Sequence, residues 1–128
     1  MSCFWDSIIT KINHEIISDV LDIPKITPLD FCNGLKDKNC KTTSVLWNGG
    51  ILTEQQYSEN MAHIKDYDIG TISNGYYCSI CDPFLLLITE LFQIDIYNSF
   101  NNTTIHYKYN GETESKSFTL QNDKGHMW

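Results

Sequence analysis

Two residues at opposite ends of the chain have the types that thiol chemistry needs, Cys3 and His126. Ser2 is a good N-cap residue, and a long amphipathic run begins directly behind it, so Cys3 is expected in the first turn of a helix. The free N–H groups and positive dipole end of that turn favour a thiolate over a thiol. A thiolate nucleophile still needs a base that takes and returns a proton, and His126 is the candidate. It follows Gly125 and precedes an aromatic-containing end, Met127-Trp128. Cys3 and His126 are therefore expected to meet as a cysteine-protease pair. For the residue that orients the imidazole, the last polar turn offers Asp123, with Asn122 as the alternative.

The remaining cysteines form a rival constellation. Cys78-Ser79-Ile80-Cys81 has the C-x2-C spacing of a zinc knuckle, and Cys32 and Cys40 would complete a four-thiolate site. That alternative is a non-enzymatic, zinc-stabilised interaction module. Cys78 and Cys81 also flank the start of an apolar helix, where ordinary packing explains them. His14, His63 and His106 are expected as solvated or hydrogen-bonded surface residues. Trp47-Asn48-Gly49-Gly50 reads as a turn. The sequence holds no Gly-rich phosphate loop and no H-E-x-x-H pattern.

The elements that must position these residues follow from periodicity. Phe4, Ile8, Ile12, Ile16 and Val20 recur every four residues, which predicts one helix over residues 4–21 ending before Pro24. Thr27-Pro28 predicts a cap and the start of a short helix over residues 29–35, weakened at its end by Gly34. Residues 36–50 are polar and turn-rich and read as loop. Thr53 and Gln56 fit a capping box for a helix through Tyr57, Met61 and Ile64, and residues 66–75 read as irregular. Asp82-Pro83 starts a helix that is apolar all round, hence buried. Beyond Gln93 the period changes to two, around Ile94 and Ile96, then Ile105, Tyr107 and Tyr109, then Lys116, Phe118 and Leu120, with Asn110-Gly111 as a hairpin signal. Helices first and strands last give an α+β fold, with the N-terminal helices packed on a C-terminal, antiparallel-rich sheet.

Composition bounds the function. A chain of 128 residues with 41% hydrophobic content fits one domain over residues 1–128 with a real core. A formal charge of −7 argues against a nucleic-acid surface. The N-terminus lacks a basic segment followed by an apolar one, so no signal peptide is expected, and no apolar run is long enough to span a membrane. Five cysteines without a secretory signal point to reduced thiols in a cytoplasmic setting. The overlapping glycosylation patterns in Asn101-Asn102-Thr103-Thr104 are expected to be silent there.

Cys3-Phe4-Trp5-Asp6-Ser7-Ile8, the helix–strand unit from Asp82 to Tyr97, and the closing Gln121 to Trp128 together resemble the ovarian-tumour (OTU) class of papain-like cysteine proteases. The small size and Asn/Ile-rich composition resemble its viral versions, the papain-like proteases of nidoviruses such as arteriviruses and toroviruses. The resemblance implies a compact papain-like fold and a monomeric thiol hydrolase that needs no cofactor or metal. It implies cleavage after a Gly-Gly tail, removing ubiquitin or a ubiquitin-like modifier from host proteins to evade innate immunity, and processing of a viral polyprotein. Host cytoplasm is the implied location. Trp5 near the nucleophile and Trp128 near the base are then expected as walls of a narrow diglycine channel. Two departures from the class are visible. Only Met1 and Ser2 precede Cys3, where an acidic residue is common. Trp128 stands two residues after the histidine, where Asp or Asn is common.

Overall fold

A computed structural model describes residues 3–74, 76, 78–100, 102–111, 116–123 and 126–127; the side chains of Cys3, Ser73, Asn74, Phe100, Asn122, Asp123, His126 and Met127 lie outside that description. The architecture is α+β. Helices α1 (Cys3–Lys11), α2 (His14–Leu21), α3 (Pro28–Asp37), α4 (Glu54–Asp66) and α5 (Pro83–Phe92) precede most of the sheet. The strands are β1 (Val45–Trp47), β2 (Ile94–Phe100), β3 (Thr103–Tyr109), β4 (Lys116–Asp123) and β5 (His126–Met127). They form one sheet in the order β1-β3-β2-β4-β5. All pairings are antiparallel except β2 with β4, which is parallel.

The expected single helix over residues 4–21 is two helices. Asn13 interrupts it: its side-chain oxygen accepts hydrogen bonds from the Glu15 and Ile16 amides at 2.8 and 3.3 Å and so caps α2. An Asn side chain that satisfies free amides competes with continuing the helix. The break shifts the buried stripe by one position. Phe4, Ile8 and Ile12 are buried as expected, but beyond Asn13 the buried pair is Ile17 and Leu21, and Ile16 is 41% exposed.

The other helix starts follow their caps. The Thr27 hydroxyl accepts from the Asp30 amide ahead of α3, and Thr53 with Gln56 forms a reciprocal capping box ahead of α4. Helix α3 continues past Gly34 to Asp37, because Gly34 is where it meets α2: a Cβ there would lie 3.0 Å from Leu21 Cβ. The stretch read as loop contains β1, an edge strand of three residues, shorter than alternation can register. A 3₁₀ helix over Ile69–Asn74 occupies the stretch read as irregular. Asn110-Gly111 does not join a hairpin, since β4 pairs with β2 on the side away from β3. The hairpin lies between β2 and β3, where Asn102 has φ 68°. Asn48-Gly49 is the turn expected, with φ 48° and 83°.

Helix α5 is the centre of the core. Phe84, Leu85, Leu86, Leu87 and Ile88 are all fully buried. It packs on β1, β2 and β3 and against α2, α3 and α4. Helix α1 lies to one side, against α3, β4 and β5.

Trp5 belongs to this core and does not wall a channel. It is 0% exposed, with its ring 5.0 Å from Phe84, 5.7 Å from Tyr76 and 6.2 Å from Phe31. An indole enclosed by five rings, with Phe4 and Tyr67 beside those three, gains far more from burial than a channel lining would retain. Trp5→Ala should therefore lower the unfolding free energy by about 3–5 kcal/mol. A denaturant titration checks this; a channel wall would cost under about 1 kcal/mol.

Candidate functional site

Cys3 stands at the N-terminal end of α1, and His126 stands at the start of β5. These two elements lie against each other, with the end of β4 beside them. The strand register sets Asp123 directly opposite His126, and Asn122 opposite Met127. Thus the backbone carries Cys3, His126, Asp123 and Asn122 on elements that share one corner of the domain. The side chains of all four, the Ser2 cap and Trp128 lie outside the described residues.

What fixes that corner is described in detail. Phe4, the residue after Cys3, is buried with its ring 4.5 Å from Tyr76 and 4.8 Å from Trp5. Tyr76 in turn donates from its hydroxyl to Asp82 Oδ2 at 2.8 Å. The start of α1 is therefore keyed, through two rings, to the start of α5.

Asp82 is the most heavily coordinated polar group described. It is fully buried, and its two oxygens accept five hydrogen bonds. Oδ1 takes the Phe84 and Leu85 amides, the first free N–H groups of α5, at 3.0 and 3.3 Å. Oδ2 takes Tyr76 Oη, the Ser79 amide and Ser79 Oγ. The Asp82 amide donates to Tyr107 Oη at 3.0 Å, and that hydroxyl donates to the Ile80 carbonyl at 2.7 Å. Burial pushes the Asp82 carboxyl above the usual range, and the donated hydrogen bonds oppose the rise. Burial, and next the Asp82 charge, hold both Tyr76 and Tyr107 phenols far above their ordinary value. Both stay protonated donors and take no part as bases.

The other four thiols do not gather into a metal site. Cys32 is buried in α3, where the Lys36 charge partly opposes the effect of burial. Cys40 lies near Glu90, and Cys78 accepts from Asn98 Nδ2 at 3.4 Å. Among the described residues, no group of three or more His, Cys, Asp or Glu side chains could hold a metal ion. The four-thiolate set of Cys32, Cys40, Cys78 and Cys81 is therefore not assembled, although Cys78 and Cys81 both lie near Tyr107. Burial raises the Cys32 thiol to about 12 and the Cys81 thiol to about 11, and it raises Cys40 as well. A thiol so held is almost wholly protonated at neutral pH and a poor nucleophile.

The histidines behave as their positions suggest. His14 is the exposed first residue of α2. His63 stands on α4 with Nε2 3.4 Å from Tyr76 Oη. His106 was legible only as a strand residue, yet it belongs to a charged cluster on the sheet face away from the helices. Its Nε2 is 3.3 Å from Asp95 Oδ2, its ring stacks on Tyr97 at 4.3 Å, and Lys108 Nζ is 4.0 Å from the same carboxylate. The signal was present in the alternation, which puts residues 95, 97, 106 and 108 on one face.

Compared with protein-family models, with curated proteins and with solved structures, the chain matches none.

Asp82→Ala removes five acceptor contacts and leaves buried donors unpaired, so it should cost about 3 kcal/mol or more of stability. Asp82→Asn keeps an acceptor for the α5 amides but turns its NH₂ toward Tyr76 and Ser79, and should fall between alanine and wild type. Urea titrations of the three chains check the order.

Proposed function

We propose that this chain is a thiol hydrolase in which Cys3 is the nucleophile and His126 the general base and acid. The observation that carries the reading is the contact between α1 and β5, which joins the two ends of the sequence that hold these residues. Two further features support it. Asp123 pairs with His126 across β4 and β5, so an acidic residue stands beside the base in the register. Three of the other thiols are held protonated by burial, and Cys78 is buried.

The chemistry would run in two steps. The Cys3 thiolate attacks an acyl carbonyl, and its sulfur–carbon bond forms as His126 protonates the departing amine. A water then gives its proton to His126 and its oxygen to the acyl carbon, and the Cys3 thiolate leaves. Backbone N–H groups at the start of α1 are the available donors for the oxyanion. Asp123 is the first candidate to orient the imidazole and Asn122 the second. From the resemblance to OTU-class proteases, the substrate is the Gly-Gly tail of ubiquitin or a ubiquitin-like modifier, and a viral polyprotein junction of similar sequence is the natural second target.

A ubiquitin C-terminal fluorogenic substrate tests this directly. Cys3→Ala should abolish turnover while leaving the circular dichroism spectrum unchanged, and His126→Ala should lower kcat/KM by about 10²–10⁴-fold. Asp123→Ala should lower kcat more than Asn122→Ala does. A ubiquitin propargylamide probe should label Cys3 alone. Full activity of Cys3→Ala, or labelling of Cys78 or Cys81 in its place, would sink the assignment.

A further inference from the structure

The break at Asn13 does more than split a helix. It opens a groove of about 210 Å³ between the α1–α2 junction and the starting ends of β2 and β4. Ile12 and Ile16 supply one apolar wall; Phe92, Ile94 and Phe118 supply the other. Lys11 and Lys116 also line it. Neither lysine belongs to an ion pair among the described residues. The chain carries a formal charge of −7, so two lysines lining one apolar groove run against the general charge of the molecule. Burial lowers the Lys11 ammonium's pKa, as expected for a cation held against apolar walls without an anion.

The geometry points to a binding site for a small amphipathic monoanion, an aliphatic or single-ring body with one carboxylate, its body between Ile16 and Phe118 and its head between Lys11 and Lys116. Size sets the class. A dry cavity of about 150 Å³ takes a benzene ring, and drug-sized ligands need roughly 300–1,000 Å³. A groove of about 210 Å³ therefore suits a body of about six to eight carbons. Charge sets the head group: two ammonium groups match one carboxylate, and the apolar walls offer nothing to further anionic oxygens. The site is separate from the proposed nucleophile. Lys11 and Cys3 stand at opposite ends of α1, roughly 12 Å apart along the axis, and Lys116 and Asp123 at opposite ends of β4.

The test is an NMR and calorimetric titration of the full chain with octanoate, octanol, octylamine and the peptide acetyl-Leu-Asp. Octanoate should bind saturably and shift the Ile12, Ile16 and Phe118 resonances. Octanol and octylamine should bind about ten-fold more weakly or not at all. Lys11→Glu and Lys116→Glu should each weaken octanoate about three- to ten-fold, with little change in the thermal melts because both residues are exposed. Cys3→Ala should bind octanoate like wild type, which keeps this result independent of the hydrolase reading. Four results would overturn the inference: no saturable octanoate binding, equal binding of octanol, an unaffected Lys11→Glu/Lys116→Glu double variant, or preference for the peptide, which would make the groove a dock for a protein segment.

Discussion

The buried carboxylate of Asp82 is the constraint on which most of the structure depends. Taking a carboxylate fully out of water costs several kcal/mol unless its lone pairs are filled. Here five donors fill them, drawn from the first turn of α5 and the Tyr76–Ser79 segment, while the Asp82 amide reaches Tyr107 on β3. Moving any of these partners leaves the buried carboxyl less well satisfied. The start of α5, the approach to it and the middle of the sheet are thereby locked to one point. Tyr76 extends the lock outward, because the ring that donates to Asp82 is also the ring on which Phe4 rests. The proposed nucleophile's helix is held at its first turn by a residue far along the chain.

Helix α5 converts that fixed point into a layered domain. It is buried on every side, so it needs a sheet beneath it and helices around it. Gln93 then ends it in the left-handed conformation, with φ 57°, and β2 begins at the next residue. A one-residue reversal leaves β2 directly under the helix that precedes it. With β2 central, the return of β3 on one side and β4 on the other follows, and β5 can only add beyond β4. That edge is the one α1 reaches.

Much of this was legible in the sequence, wherever a signal was local. Thr27-Pro28, Thr53 with Gln56, and Asp82-Pro83 each begin a helix because the cap and its partners lie within three residues. The period-two runs gave β2, β3 and β4 for the same reason. What failed was non-local or ambiguous. Apolar residues in adjacent pairs left two overlapping stripes from Phe4 to Leu21, and only tertiary packing chose Ile17 and Leu21 over Ile16 and Val20. Asn110-Gly111 carries a turn signal, but which strand β4 would join depended on the whole sheet. Trp5 was read from its place beside Cys3, whereas its environment is made by Phe31, Tyr76 and Phe84, distant in sequence. For the candidate site, the sequence offered the residue types at both ends, and the fold supplied the contact between their elements.

The cysteines carry the last step. A spacing argument treats Cys78 and Cys81 as the conspicuous pair, since a C-x2-C is a recognisable pattern. Environment reverses that order. Cys81 sits beside the Asp82 carboxylate, and burial with that negative neighbour opposes a second negative charge. Cys40 meets the same combination at Glu90, and in Cys32 burial outweighs the help of Lys36. The core that encloses α5 thus disfavours thiolates at three points while it fixes a helix end elsewhere. Burial favours the protonated thiol at Cys32, Cys40 and Cys81, and the packing around Asp82 and α5 does that as a by-product of building the core.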